Sequence, residues 1–385
     1  MSHPVIIDAC RTAIGRSHPE VGVFRDVRGD DLAVAVVKAI VQRTGIDPAV
    51  VEDVVIGNTQ QHGEQGLNMG RNVALMAGLP VTTGGATINR LCGSSLQAIN
   101  QASHAIRAGA EDVQIVGGTE HMHHLPMDAG VDLNPRLFEH TSKGALLMGV
   151  TAEFLAQSQG IDREQQDAFA LASHQKASAA HKEGAFAAEI VPVWGRNELG
   201  ERIEVTRDQT VRDDTSLEAL AALKPAFMPE LGTVTAGNSS PLNDGAAALL
   251  VMSEERAKEL GLQPMARILA TAVAGVDPAV MGTGPVPATQ KALARAGLAL
   301  SDIDLVELNE AFAAQAIACQ QMLGIDPDKM NVHGGSVAIG HPLGASGARI
   351  TTTLLHTLRR HDKTLGLATM CIGVGQGIAT VFERV

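Results

Sequence analysis

The 385-residue chain repeats itself, and the repeat restricts the folds open to it. Segment 38–58, KAIVQRTGIDPAVVEDVVIGN, and segment 291–309, KALARAGLALSDIDLVELN, follow one plan. Each runs from an amphipathic helix through a glycine stop and a polar turn into an apolar strand closed by asparagine, Asn58 or Asn309. A gap of two residues aligns them. A second pair of segments lies further along each half. Cys92-Gly-Ser-Ser opens a helical pattern carrying Leu96, Ile99, Ala102 and Ile106 on one face, and Gly344-Ala-Ser-Gly opens another with Ile350, Leu354 and Leu358. Strands are predicted next, over 113–118 and 365–371. The chain therefore reads as a duplicated α/β unit, its short strands forming mainly parallel sheets covered by helices on both faces.

Between the repeats, from His121 to Asn243, the character changes. Four histidines fall between His121 and His140, a long helical run covers 148–184, and the stretch from Trp194 to Ser216 is rich in charge. This part reads as an inserted substrate-handling region. The expected division is an N-terminal core of 1–120 with 244–268, a loop domain of 121–243, and a C-terminal core of 269–385.

A chain of this length exceeds what one core usually supports, and 45% apolar residues furnish a large interior. The net charge of -12 repels a nucleic acid backbone, and no block of Lys and Arg offsets it, so nucleic acid is not an expected partner. Four cysteines are too few for a disulfide-stapled secreted scaffold, which points to reduced thiols in the cytoplasm. No leader and no uninterrupted apolar run of about 18 residues is seen, so a soluble protein is expected.

The motifs that carry chemistry are short. Cys92 lies in NRLCGSS at the expected first turn of a helix, where free N–H groups and the helix dipole favour a thiolate. A lone cysteine is otherwise a small buried hydrophobe. His341, in HGGSVAIGHPLGASG, is the natural base for such a thiol, the alternative being a histidine that only satisfies a tight turn. Cys371 ends an apolar strand and is followed by Gly373, Gly375 and Gly377, so its thiol and the next N–H groups should converge as an acid/base group beside an oxyanion site. The strand expected at 378–382 speaks against a dinucleotide-binding glycine motif, which requires a helix there. Asn309 is placed to hold a water or a carbonyl oxygen, or to cap a helix. His121, His123 and His124 lack zinc spacing, and no metal site is expected.

Taken together, VIIDACRTAIGR, NRLCGSS, GNSSPLNDGAA, NEAFAAQ, GGSVAIGHPLGASGAR and CIGVGQG resemble the thiolase family over essentially the whole chain. EHMHHLPM, GPVPAT and the ending GLATMCIGVGQGIATVFERV are most similar to the β subunits of bacterial fatty-acid-oxidation complexes. The resemblance implies a thiolase-like fold of five layers, α/β/α/β/α, with an inserted loop domain. It implies thiolytic cleavage of a 3-ketoacyl-CoA by coenzyme A in fatty acid β-oxidation, with coenzyme A a substrate and no cofactor required. By motif, Cys92 becomes acylated, His341 activates it, and Cys371 protonates the departing acetyl-CoA carbanion and then deprotonates incoming coenzyme A. One oxyanion site is implied at His341 with a water held by Asn309, another at the N–H groups of Cys92 and Gly373. Ser240 is implied near the pantetheine and Arg212 near the nucleotide.

A homodimer, and assembly with a hydratase/dehydrogenase α subunit, are implied in the same way. Val374 stands where many thiolases have glycine, Leu147 where biosynthetic ones have a histidine on pantetheine, and His123 where the complex subunit usually has glycine. A β-ketoacyl synthase would carry a second histidine in place of Cys371 and Asn309. An acetoacetyl-CoA thiolase working in the biosynthetic direction shares every catalytic part, and a non-catalytic lipid-binding or scaffolding subunit would have no need to keep all four positions.

Overall fold

The computed structural model describes residues 2–385. The first half runs β1 (Pro4–Thr12), β2 (Gly15–Arg16), α1 (Gly29–Thr44), β3 (Asp53–Gly57), α2 (Met69–Met76), β4 (Ala86–Ile88), α3 (Ser94–Ala108) and β5 (Val113–His121). The middle contains α4 (Met148–Gln159), α5 (Arg163–Lys182), β6 (Ile190–Val191), β7 (Val193–Arg196), β8 (Arg202–Val205) and α6 (Leu217–Ala221). The second half returns with β9 (Asn243–Ser253), α7 (Glu254–Glu259), β10 (Ala266–Gly275), α8 (Pro285–Ala296), β11 (Leu305–Leu308), α9 (Ala313–Leu323), α10 (Ser336–Ile339), α11 (Ser346–Arg360), β12 (Leu365–Ile372) and β13 (Gln376–Arg384).

The repeated segments fold alike, for local reasons. α1 stops at Gly45 and α8 at Gly297, both left-handed with φ near 65° and 68°, a conformation glycine adopts without steric penalty. Each stop is followed by a short 3-10 turn and then by β3 or β11. β3 pairs in parallel with β5, and β11 in parallel with β12. The spatial orders β1-β9-β5-β3 and β10-β13-β12-β11 therefore correspond strand for strand. Even the edges match: β4 lies beside β3, and Met330 makes an isolated parallel bridge to Val306 of β11. The two halves meet edge to edge at a seam of two residue pairs, Val5 with Arg267 and Ile6 with Ala266.

The expectation of mainly parallel sheets is corrected here. β9 runs antiparallel to β1 and β5, and β13 antiparallel to β10 and β12. β13 follows β12 through a short turn with no helical crossover, and a turn that short can join only antiparallel neighbours. The boundary expected between residues 268 and 269 falls within β10, which pairs with β13 along its whole length from Ala266 to Gly275. The helical run expected over 148–184 is two helices, broken at left-handed Gly160.

The layers follow from side-chain alternation. In β9, Ala248, Leu250 and Met252 face the cluster under α1, while Ala247, Leu249 and Val251 face a second cluster built on α3 and α11. That second cluster takes residues from both sheets, including Ile6, Val116, Met370 and Phe382. α3 and α11 are thus a middle layer between two sheets, with α1 and α2 outside one and α8 and α9 outside the other. The 122–242 segment is tied to this frame by fully buried Arg11 of β1. Its guanidinium donates to Glu189 at 2.6 Å and bidentately to Asp208 at 2.7 and 3.0 Å. No described helix is long and apolar enough to cross a membrane.

The middle layer is close-packed because glycines stand at its contacts. A Cβ on Gly347 of α11 would sit 2.3 Å from the backbone N of Leu96 in α3, and one on Gly118 only 2.0 Å from the carbonyl oxygen of Gly344. Gly347→Ala is accordingly expected to lower unfolding free energy by ~1–3 kcal/mol. Gly144→Ala, where the new methyl meets only ordinary contacts at 3.8 Å, should stay within ~0.5 kcal/mol of the parent in the same denaturant titration.

Candidate active site

Cys92 sits in the turn between β4 and α3, two residues ahead of the helix. The turn is strained, since Leu91 has φ 46°. Side chains hold it there: Asn89 accepts from the Leu91 N–H at 2.9 Å, and Ser94 donates to the Leu91 carbonyl at 2.6 Å while accepting from the Arg90 N–H at 2.9 Å. Gly93 packs closely beside it: a Cβ there would meet the side chain of Ile372 at 2.5 Å, which would have to shift.

The expected thiolate is not what this setting favours. Cys92 is 4% exposed, and burial pushes its thiol up to about 11. The N–H groups of Gly373 and of Cys92 itself pull the other way, and the charge of Glu120 adds to the rise. Loss of water outweighs the nearby amides, so the resting nucleophile is a neutral thiol that needs a base.

His341 follows the single-turn α10 and Gly340, whose φ of 114° suits glycine and whose α-carbon lies against Asn243. The His341 N–H donates to Asn243 Oδ1 at 2.8 Å, which fixes the loop. Its Nδ1 lies 2.5 Å from Ser346 Oγ, and Ser346 Oγ donates to the Pro342 carbonyl at 2.7 Å. A serine hydroxyl has one hydrogen, and Pro342 takes it, so Nδ1 carries the proton and donates to Ser346. Nε2 is left as a lone-pair acceptor. Burial, helped by the charge of Arg349, brings the imidazole down to about 3, and it rests neutral.

Cys371 lies near the end of β12, fully buried, with its thiol raised well above the ordinary value by burial and then by the neighbouring sulfurs of Cys92 and Cys319. Asn309 follows β11 and places Nδ2 3.5 Å from His341 Nε2, at the outer limit of a hydrogen bond. Cys92, His341, Cys371 and Gly373 line one cavity of about 640 Å³, whose other walls are mostly apolar, with Met122, Met148 and Phe312 among them. Ser240 is in the same lining and donates to the Ala311 carbonyl at 3.1 Å. Leu147 lines it too, half exposed. Arg212 does not: it lies exposed on the loop before α6, outside the cavity lining. Lys224, also exposed, stands two residues before the lining residues Ala226 and Phe227. Val374 is held at φ 64° in the turn after β12, a strained conformation for a β-branched residue.

Three side chains of this site escaped the sequence reading. Ser346 was visible only as the start of a helix, although a serine five residues after the histidine was in plain view. Asn243 reaches His341 from the far end of the inserted segment. Glu120 accepts from Asn58, Thr59 and Gln65 and also from the Gly344 N–H at 2.9 Å, joining the first half to the His341 loop. Glu64, His121 and His124 come within ligating distance of one another, which the spacing did not foretell. Their nitrogens already meet protein groups, His121 Nε2 at the Phe24 carbonyl and His124 at the Arg25 carbonyl and Glu64.

Comparison with known proteins places this geometry in context. The family model described as thiolase, N-terminal domain, matches residues 4–255, and that for thiolase, C-terminal domain, residues 262–384. A 3-ketoacyl-CoA thiolase of Shewanella sp. (strain ANA-3) is 55% identical over 389 aligned positions covering all of both chains, and one of Shewanella denitrificans is 54% identical over the same span. Among solved structures, the Bacillus anthracis acetyl-CoA acetyltransferase has a TM-score of 0.92 at 41% identity, and human mitochondrial 3-ketoacyl-CoA thiolase 0.92 at 38%. Each alignment covers 100% of this chain and 99% of the other.

The hydrogen bonds around His341 predict one tautomer. In ¹⁵N-histidine NMR its signal should remain that of neutral imidazole, protonated at Nδ1, from about pH 8 to about pH 5. Because its folded value of about 3 lies below the unfolded value, only the unfolded chain takes up a proton between them. His341 therefore contributes stability above about pH 6.5 that is lost as pH falls toward 3. An imidazolium signal at pH 6 in the folded protein would contradict the assignment.

Proposed function

The chain belongs to the thiolase family and is an acyltransferase, and on that premise we propose that it cleaves 3-ketoacyl-CoA with coenzyme A. The products are acetyl-CoA and an acyl-CoA two carbons shorter. The observation that carries the reading is the meeting of two thiols and one neutral imidazole at a single, mostly apolar cavity.

The catalytic roles follow from the state in which the site rests. With thiol and imidazole both neutral, His341 Nε2 takes the Cys92 proton as sulfur attacks the 3-keto carbon, and no ion pair is stored beforehand. The developing oxyanion is met by the N–H groups of Cys92 and Gly373, the latter already directed at the Cys92 sulfur. Collapse breaks the bond between C2 and C3, leaving an acyl-Cys92 thioester and the carbanion of acetyl-CoA. The proton now on Nε2 makes His341 a donor to the enolate oxygen, with Asn309 beside it. Cys371 gives its proton to the carbanion, and its thiolate then removes the proton of incoming coenzyme A. Attack on acyl-Cys92 expels the cysteine, which recovers its proton from His341. Every group needed is a side chain, a backbone amide or the substrate thiol, so the cycle calls for no metal or redox cofactor.

Ser240 belongs beside the pantetheine. Of the cations, Lys224 stands closer along the chain to the cavity lining than Arg212, and both are candidates for the nucleotide phosphates. The apolar lining, with Met122, Met127, Met148 and Met281, favours the degradative reading with longer acyl chains over a site for acetoacetyl groups alone. Incubation with a 3-ketoacyl-CoA followed by mass spectrometry tests the division of labour. Cys371→Ala should accumulate acyl enzyme and turn over at less than about 1% of the parent rate, whereas Cys92→Ser should trap little. Equal acylation of the two variants would overturn it.

We further propose a homodimer that joins a larger hydratase/dehydrogenase subunit in the cytoplasm. β4 is an open sheet edge, and Leu67, 91% exposed, with Leu75, Met76 and Val81 gives the neighbouring α2 region an apolar surface suited to a second copy. Native sizing of cell extract should find the chain in a complex larger than its own dimer. A lone dimer there would remove the hetero-complex from the proposal.

A further inference from the structure

The Asn309 amide is locked from behind. Its Oδ1 accepts from the hydroxyl of Ser336, in α10, at 2.6 Å. The same hydroxyl oxygen accepts from the guanidinium of Arg349, a residue of α11 with no exposed surface. A guanidinium has donors only, so the single hydroxyl hydrogen of Ser336 cannot point at Arg349 and is free for Asn309. The atom of Asn309 that receives it must be the amide oxygen. The opposite end of the amide, Nδ2, is then turned to His341 Nε2, which the Ser346 bond independently leaves as an acceptor. One directed chain of hydrogen bonds runs from Arg349 through Ser336, Asn309 and His341 to Ser346 and the Pro342 carbonyl.

We infer that Ser336 is a positioning residue for the reaction, holding the Asn309 amide with its nitrogen toward the imidazole. The inference rests on the catalytic reading of Asn309 given above. Without the hydroxyl, nothing in the structure distinguishes the two ends of that side-chain amide except His341 itself. A flipped amide sets an oxygen against Nε2. That removes a donor from the place where the enolate oxygen gathers charge, and it favours protonated over neutral imidazole. The charged group acting on the imidazole is Arg349 on α11. Glu307 and Glu310, on either side of Asn309, act on Arg349 in turn, Glu120 on β5 holds the Gly344 N–H of the His341 loop, and the two thiols share the cavity. Ser336 alone among the neighbours of Asn309 is bonded to both Arg349 and the amide oxygen. Among the described residues Arg349 Nε and Nη1 and Glu307 Oε2 have no hydrogen-bond partner, and Nη1 lies 3.9 Å from that carboxylate oxygen, so Ser336 is the hydrogen-bond partner the guanidinium has at this end.

Steady-state thiolysis in a double-mutant cycle tests this. Asn309→Ala should lower kcat by about a hundredfold. Ser336→Ala should lower it about five- to tenfold with KM for coenzyme A unchanged, and should move the acid limb of the kcat profile to higher pH. In the Asn309→Ala background the serine substitution should have no further effect. Ser336→Thr and Ser336→Val, equal in size, separate packing from the hydroxyl: the first should approach the parent rate and the second should match Ser336→Ala. Full activity of Ser336→Ala or Ser336→Val, an unmoved acid limb, or an equal loss in the Asn309→Ala background would overturn the inference. An Asn309→Ala protein with parental kcat would instead remove the catalytic reading on which it rests.

Discussion

The close approach of the amino ends of α3 and α11 in the middle layer is the contact on which the rest of the molecule depends. Cys92 lies two residues ahead of one helix, and Ser346, the partner of His341, begins the other. They reach one site because Gly347 lets α11 lie against the backbone of Leu96, and because Gly118 and Gly344 let β5 meet the loop before α11. Any side chain at these positions would push against backbone, which cannot rotate away. The fold thus fixes the distance between nucleophile and base through the least compliant part of each element.

That same closeness excludes water, and exclusion sets the electrostatics. An isolated helix end favours a thiolate, yet here burial raises the Cys92 thiol and lowers the His341 imidazole, so both rest uncharged. The Gly373 amide opposes the rise at Cys92 without reversing it. A site of neutral groups in an apolar cavity avoids the penalty of a buried ion pair in the resting state and meets charge only where the reaction creates it. The surrounding hydrogen bonds are directed, with Ser346 on one side of the imidazole and Ser336 behind Asn309. With the Ser346 hydrogen on the Pro342 carbonyl and the Ser336 hydrogen on Asn309, every bond in the chain has one consistent direction.

Much of this was legible along the chain. The helix, glycine stop and strand of 38–58 recur in 291–309 because local signals, apolar spacing and a left-handed glycine, suffice to form them. Cys92, His341, Cys371 and Gly373 stood out because reactive residue types were set among glycines that only a tight backbone needs. The antiparallel courses of β9 and β13 were not legible, since an apolar strand looks the same whichever way its neighbour runs. The neutral thiol was missed because desolvation is a sum over surroundings that come from distant segments. Arg212 was singled out by motif, and its exposed loop lies outside the cavity lining.

The sequence by itself determined the duplicated α/β plan, the elements that carry the reactive groups, and the chemical kinds of those groups, because these depend on near neighbours along the chain. Tertiary structure alone decided which strands run back antiparallel, that the Cys92 thiol rests protonated, and which nitrogen of His341 holds its hydrogen. Strand direction depends on pairing partners, and proton position depends on water exclusion and on partners such as the acceptor Ser346 and the donor Asn309, which only the folded chain brings into range.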